Sequence, residues 1–170
     1  MILLITISLY CIQLSKSHSF QNGAPRNVTC VKPNPAKIYS WHIHLLYFQI
    51  NAKHTEGAYK IRDHFIDTFK EKLGPQCTDL FDEKQLCMFE PDREPVGPFL
   101  TAQWSVFVTI DTFYETVSWI MQNKGIYDIL VHPNTGCEME DHDDWAFWGG
   151  KPWRINMDAF SHDKPFPWRR

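Results

Sequence analysis

The chain has no basic excess: 17 Lys and Arg stand against 20 Asp and Glu in 170 residues, a formal charge of −3. A nucleic-acid partner calls for a basic stripe to meet its phosphates, so that class of partner is excluded. Long apolar runs are also missing. The longest, Ile2 to Leu14, has thirteen residues, short of the roughly 20 that a helix needs to cross a hydrocarbon core of about 30 Å. Glycine is scarce, at 8 residues, and apolar residues reach 44%, which excludes collagen-like, disordered and low-complexity chains. What the chain does have is aromatics: twelve Phe, seven Trp and six Tyr. Each removes much apolar surface from water when buried, so one compact domain with a large core is expected.

The apolar start, followed by Ser15, Lys16, Ser17, His18 and Ser19, fits a secretory signal over residues 1–19. Its removal takes Cys11 and leaves Cys30, Cys77, Cys87 and Cys137. An even cysteine count in an oxidising compartment implies two disulfides, and sequence alone allows three pairings. Asn27-Val28-Thr29 is an N-glycosylation sequon in an exposed lead segment. Together these features point to a secreted, extracellular protein.

Residues 20–37 contain Gly23, Pro25, Pro33 and Pro35 without apolar periodicity and read as an extended lead-in. A strand is expected over Ile38–Ile50. Ala58, Ile61, Phe65, Phe69 and Leu73 then recur at helical steps, with Thr55 opening the helix and Gly74-Pro75 stopping it. Leu86–Glu90 is a short strand, the Pro-rich stretch 91–98 is a loop, and Trp104–Ile110 alternates as a strand. A second helix follows, with Thr112 and Glu115 as a capping box and Phe113, Val117, Ile120 and Met121 as its apolar face. Gly125 ends it, and Asp128–His132 is the last strand. The order βαββαβ makes an α+β, ferredoxin-like antiparallel sheet with both helices on one face and strand order 4-1-3-2. The domain spans 38–150 and an aromatic tail covers 151–170. In this topology Cys137, just past the last strand, lies near Cys30 at the entry to the first, and Cys77 and Cys87 close a short ring. The pairings expected are Cys30–Cys137 and Cys77–Cys87.

Trp41-His42-Ile43-His44 lies on the first strand, where a period of two aims both imidazoles at one face. His132 ends the neighbouring strand. The three could meet on the face away from the helices, taken to be open, and neutral imidazole suits a divalent cation. Taken singly, each is as well explained as a strand His satisfied by hydrogen bonds. His18 leaves with the signal, and His54, His64 and His162 receive no chemistry. The stretch 138–144 has five carboxylates in seven residues. It lacks the glycine-pivoted spacing of an EF-hand and reads as a solvated acidic loop. Trp145, Phe147, Trp148 and Trp153 are core or rim packing, or the walls of a pocket for a flat ring.

Trp41 through Phe48, Pro95-Val96-Gly97-Pro98, the strand from Trp104, and His132-Pro133-Asn134-Thr135-Gly136 through Asp141-His142 to Trp148-Gly149 together resemble the DOPA 4,5-dioxygenase family. The resemblance implies extradiol cleavage of a catechol such as DOPA, with dioxygen as co-substrate and Fe(II) as the metal. Iron in such sites is commonly held by two His and a carboxylate. That pattern makes His42, His44 and His132 the metal ligands, Asp141 or Glu138 the candidate carboxylate, and His142 the catalytic base; the roles of His132 and His142 are exchangeable. One position departs from the family pattern, in which a His often follows the Gly-Pro pair: here Gly97-Pro98 is followed by Phe99. The alternative is a non-catalytic secreted protein on the same scaffold, binding metal or ligand or lying in an extracellular matrix. An exposed sheet face would also allow a homodimer.

Overall fold

A computed structural model of the chain describes residues 37–79 and 83–160. Its sheet begins with β1 (Ser40–Tyr47), narrower than the apolar run that suggested it: Ile50 lies in the turn beyond and is 93% exposed. Helix α1 (Ala52–Phe69) starts three residues before Thr55, because Asn51 caps it, its side chain accepting from the His54 amide at 3.2 Å. The anticipated helical face is the buried one. Ala58, Phe65 and Phe69 are in the core, with Ile61 and Leu73 packed against it. Gly57 is needed where α1 meets the end of the last long strand. A Cβ there would lie 2.2 Å from the Tyr127 hydroxyl, which donates to the His54 carbonyl.

Strands β2 (Cys87–Met88) and β3 (Ala102–Val108) follow on either side of the Pro-rich loop. Helix α2 (Phe113–Asn123) buries Thr116, Val117 and Ile120. Met121 does not share that face; it is 56% exposed, since one residue on from Ile120 turns about 100° around the helix. The capping box does not form either. Thr112 makes no side-chain cap; its hydroxyl bonds Thr109, and Glu115 takes the Lys72 ammonium at 2.6 and 2.5 Å. Gly125 leaves the helix at φ 58.

Strand β4 (Asp128–Asn134) pairs antiparallel with β1. A fifth strand, β5 (Phe147–Gly149), which the alternation did not signal in so short a segment, pairs with Ile129–Val131. Pro133 lies beyond the reach of β5, where a strand proline is tolerated. The full order is β2-β3-β1-β4-β5, the expected 4-1-3-2 arrangement read from its other edge with one strand added. The carboxylate-rich stretch is not a solvated loop: it folds as the short helix α3 (Glu138–His142), with Asp141 and His142 buried.

Alternation divides the sheet into two faces. Ile43, Leu45, Trp104, Val106, Val108, Ile129 and Val131 face α1 and α2 in the main core. His42, His44, Gln103, Ser105, His132 and Asn134 belong to the opposite face and are all buried. That face is therefore not open. The 96–99 loop and α3 lie over it, and the start of the residue 151–170 tail packs nearby. Trp153 and Ile155 sit on Leu46 and Leu130, the Trp153 indole donates to Asp128 at 2.7 Å, and the Asn156 amide donates to the Pro98 carbonyl at 2.7 Å. The open surface that suggested a homodimer is covered within one copy. Among the described residues, no helix is long and apolar enough to cross a membrane.

Cys77 and Cys87 form a disulfide, as expected, and it packs with Phe89 and Phe107. Cys137 is also disulfide-bonded. Its expected partner Cys30, the sequon Asn27 and the segment 1–19 lie outside the described residues.

Candidate metal centre

Registry brings the imidazoles together. His42 on β1 is directly opposite His132 on β4, and His44 lies two residues along the same face. Each of His42, His44 and His132 offers one ring nitrogen, and the three atoms lie within 4.8 Å of one another. The residues are 5%, 6% and 2% exposed.

Partners on the far ring nitrogens fix the tautomers. His132 Nδ1–H donates to the Pro133 carbonyl at 2.8 Å, and His44 Nδ1–H donates to Gln103 Oε1. Both oxygens can only accept, so in the neutral rings each Nε2 carries a lone pair. These two Nε2 atoms face each other at 3.0 Å. Protonating His132 does not relieve the clash, because burial, with the neighbouring imidazoles next, drives its pKa well below the ordinary value. A cation between them does. Two nitrogens at right angles on a metal, with bonds of about 2.1 Å, stand about 3.0 Å apart. The residues therefore fit a divalent ion held by three neutral nitrogens with coordination positions left open. The donor set suits iron, zinc, copper or nickel alike.

The His142 ring lies against that of His132, tilted by 35° with ring centroids 3.8 Å apart. Its Nδ1–H donates to the Glu138 carbonyl at 2.9 Å, leaving Nε2 as the acceptor, and burial lowers its pKa to about 4. The two candidate carboxylates differ. Asp141 turns both oxygens on Thr135, accepting from its amide at 3.0 Å and its hydroxyl at 2.7 Å. It clasps the turn after β4, and burial raises its pKa to about 6. Glu138 is raised to about 7, by burial first and the Asp141 charge second. Neither belongs to the metal-competent group, which is all imidazole. His54 and His64 lie elsewhere, against Tyr127 and Trp119.

A cavity of about 50 Å³, partly open to solvent, adjoins the three histidines. Val96, Pro98 and Phe99 give it apolar walls, and Glu138, Asp141 and His142 contribute polar groups. Phe99 lies on His44 at 4.6 Å, and Phe160 lies on His142 at 4.5 Å. Gln103 is not evident from the sequence alone, because the apolar alternation is clear only from Trp104, whereas the strand begins at Ala102. Extended by one residue, the same alternation puts Gln103 and Ser105 on the histidine face. Phe160 carried no local signal.

The fold is thus a ferredoxin-like sheet that buries three imidazoles able to hold a metal ion beside an apolar-walled cavity. Residues 41–159 match the family model of the Dopa 4,5-dioxygenase family, and the chain belongs to that family. It is 26% identical over 122 residues to a DOPA 4,5-dioxygenase of Amanita muscaria, covering 72% of this chain and 50% of that protein. It is 25% identical over 126 residues to an uncharacterized 21.2 kDa protein of Botryotinia fuckeliana, covering 69% of this chain and 61% of the other. The chain thus spans half to three-fifths of the curated relatives it matches. A crystal structure of a candidate dioxygenase from Nostoc punctiforme shares the fold, with a TM-score of 0.57 and 23% identity over 72% of this chain and 90% of that one.

Proposed function

We propose that the protein is a secreted dioxygenase that opens the ring of a catechol such as DOPA, with Fe(II) held by His42, His44 and His132. The observation that carries this reading is the pair of inward-facing Nε2 lone pairs at 3.0 Å beside an apolar-walled cavity. When bound there, Fe(II) supplies the electron-transfer chemistry that lets dioxygen attack a ring carbon next to a hydroxyl. The rest falls to the chain's own side chains. Val96, Pro98 and Phe99 present apolar surface to a flat ring and exclude water from it. His142 Nε2, neutral at pH 7, accepts a proton from a catechol hydroxyl. The Glu138 carboxyl, with a pKa of about 7, is matched to return a proton near neutrality. Export is supported by the apolar leader, the sequon and the Cys77–Cys87 disulfide, a bond that persists in oxidising compartments.

A second reading, a secreted metal- or ligand-binding protein without turnover, is favoured by Phe99. Its buried ring fills the position after Gly97-Pro98 and offers no proton-transfer group. The two readings separate in one assay. The secreted chain is loaded with Fe(II) and given DOPA under oxygen, while oxygen uptake and a yellow ring-opened product are followed. Uptake that disappears in His42→Ala and His132→Ala supports the enzyme. Stoichiometric metal without uptake refutes catalysis on DOPA and supports the binding protein.

A further inference from the structure

Of the two ligands whose tautomers can be read, His132 leans on its neighbour's carbonyl, but His44 leans on a side chain from another strand. Gln103 Oε1 accepts from His44 Nδ1–H, and Gln103 Nε2 donates to Asp92 Oδ2 at 3.0 Å. A carboxylate oxygen can only accept, so this second bond fixes which way the amide points, and the amide then fixes which nitrogen of His44 keeps its proton. The backbone holds the two residues in step. Asp92 and Gln103 form an isolated antiparallel bridge, with the Gln103 amide donating to the Asp92 carbonyl at 3.0 Å. The Tyr47 hydroxyl meets the same carbonyl at 3.3 Å. Gln103 is 4% exposed, whereas Asp92 is half-buried.

We propose that Asp92 and Gln103 form a positioning relay that locks His44 in its Nδ1–H tautomer and passes the polarisation of a carboxylate to Nε2, the nitrogen aimed at the metal. It is a carboxylate–histidine–metal arrangement with one amide inserted. Outer partners of that kind fix ring orientation and raise ligand basicity. The relay rests on the reading that the three imidazoles hold a cation, but its first consequence is visible without one.

The test uses the metal-free full chain, labelled with ¹⁵N and observed through long-range ¹H–¹⁵N correlations of the imidazoles, followed by titration with Co(II). In the parent, His44 is expected in the Nδ1–H form. Gln103→Leu removes both side-chain bonds; His44 should become a mixture of tautomers, and Co(II) affinity should fall about 10–100-fold. Gln103→Glu alone sets two carboxylates against each other. Combined with Asp92→Asn it reverses the second bond, since the new amide donates to the new carboxylate while His44 keeps an acceptor. The double variant should restore both the tautomer and most of the affinity. Should Gln103→Leu fail to fold, the contrast between Gln103→Glu and the double variant carries the test. An Nε2–H tautomer in the parent, undiminished affinity in Gln103→Leu, or a double variant no better than Gln103→Glu would overturn the relay. A parent that binds no Co(II) while His44 remains Nδ1–H would refute the metal reading and support the tautomer lock.

Discussion

The two faces of the sheet are built from the same strands and are equally dry, yet they hold opposite chemistry. Toward the helices, β1, β3 and β4 present Ile43, Leu45, Trp104, Val106, Ile129 and Val131. One residue out of phase, the same strands present His42, His44, Gln103, Ser105 and His132, all at most 6% exposed. Burying polar groups without partners is costly, so the second face needs a reason to exist. Its reason is pairing: His44 to Gln103, Gln103 to Asp92, His132 to the Pro133 carbonyl, and Thr135 to Asp141. The helix face sets stability, and the histidine face carries the candidate site at some cost to it.

The largest effect should come from deleting a ligand. His44→Ala or His132→Ala should lower metal affinity by about three orders of magnitude or more and abolish any oxygen uptake, while the metal-free chain still melts cooperatively; calorimetry and metal titration on the same sample check this. A metal-free melt that collapses in both variants would break the division between the faces. Trp104→Ala acts on the other side. Trp104 is fully buried, and its indole donates to the Ala58 carbonyl at 2.9 Å. Its loss should cost about 3–5 kcal/mol in urea unfolding with little change in metal stoichiometry. Asp141→Ala strands the buried Thr135 amide and hydroxyl and should cost about 1–3 kcal/mol. Asp141→Asn, which keeps one acceptor, should cost less.

The last predicted effect depends on pH. Glu138 ionises near its ordinary value of 4.5 in the unfolded chain but only at about 7 in the fold. From pH 4.5 upward the unfolded state sheds this proton first, so the residue weakens the fold increasingly up to about pH 7. Glu138→Gln removes that penalty. It should match the parent at pH 4 and exceed it by about 1–3 kcal/mol at pH 8, as read from urea midpoints. Equal midpoints at both pH values would mean that the carboxyl is not desolvated.

Much of this division was legible in the sequence because a strand's period of two survives any environment. His42, Ile43 and His44 had to alternate, and the βαββαβ order placed His132 beside them. The Cys77–Cys87 ring followed from the same topology. Context set what was not legible. The acidic stretch became the helix α3 because Thr135 offers its amide and hydroxyl to Asp141 across the turn, a contact no local charge count reveals. The three-residue strand β5 is too short to alternate recognisably. The histidine face looked open because its cover comes from separate loops and from residues beyond 150, and Phe99 and Phe160 touch the imidazoles only through tertiary packing.

The central claim is that His42, His44 and His132 share one divalent cation, and calorimetric titration of the metal-free full chain with Co(II) tests it most directly. One saturable equivalent is predicted, lost when the three histidines are replaced together by alanine. No saturable binding, or one equivalent still bound by the triple variant, would contradict it.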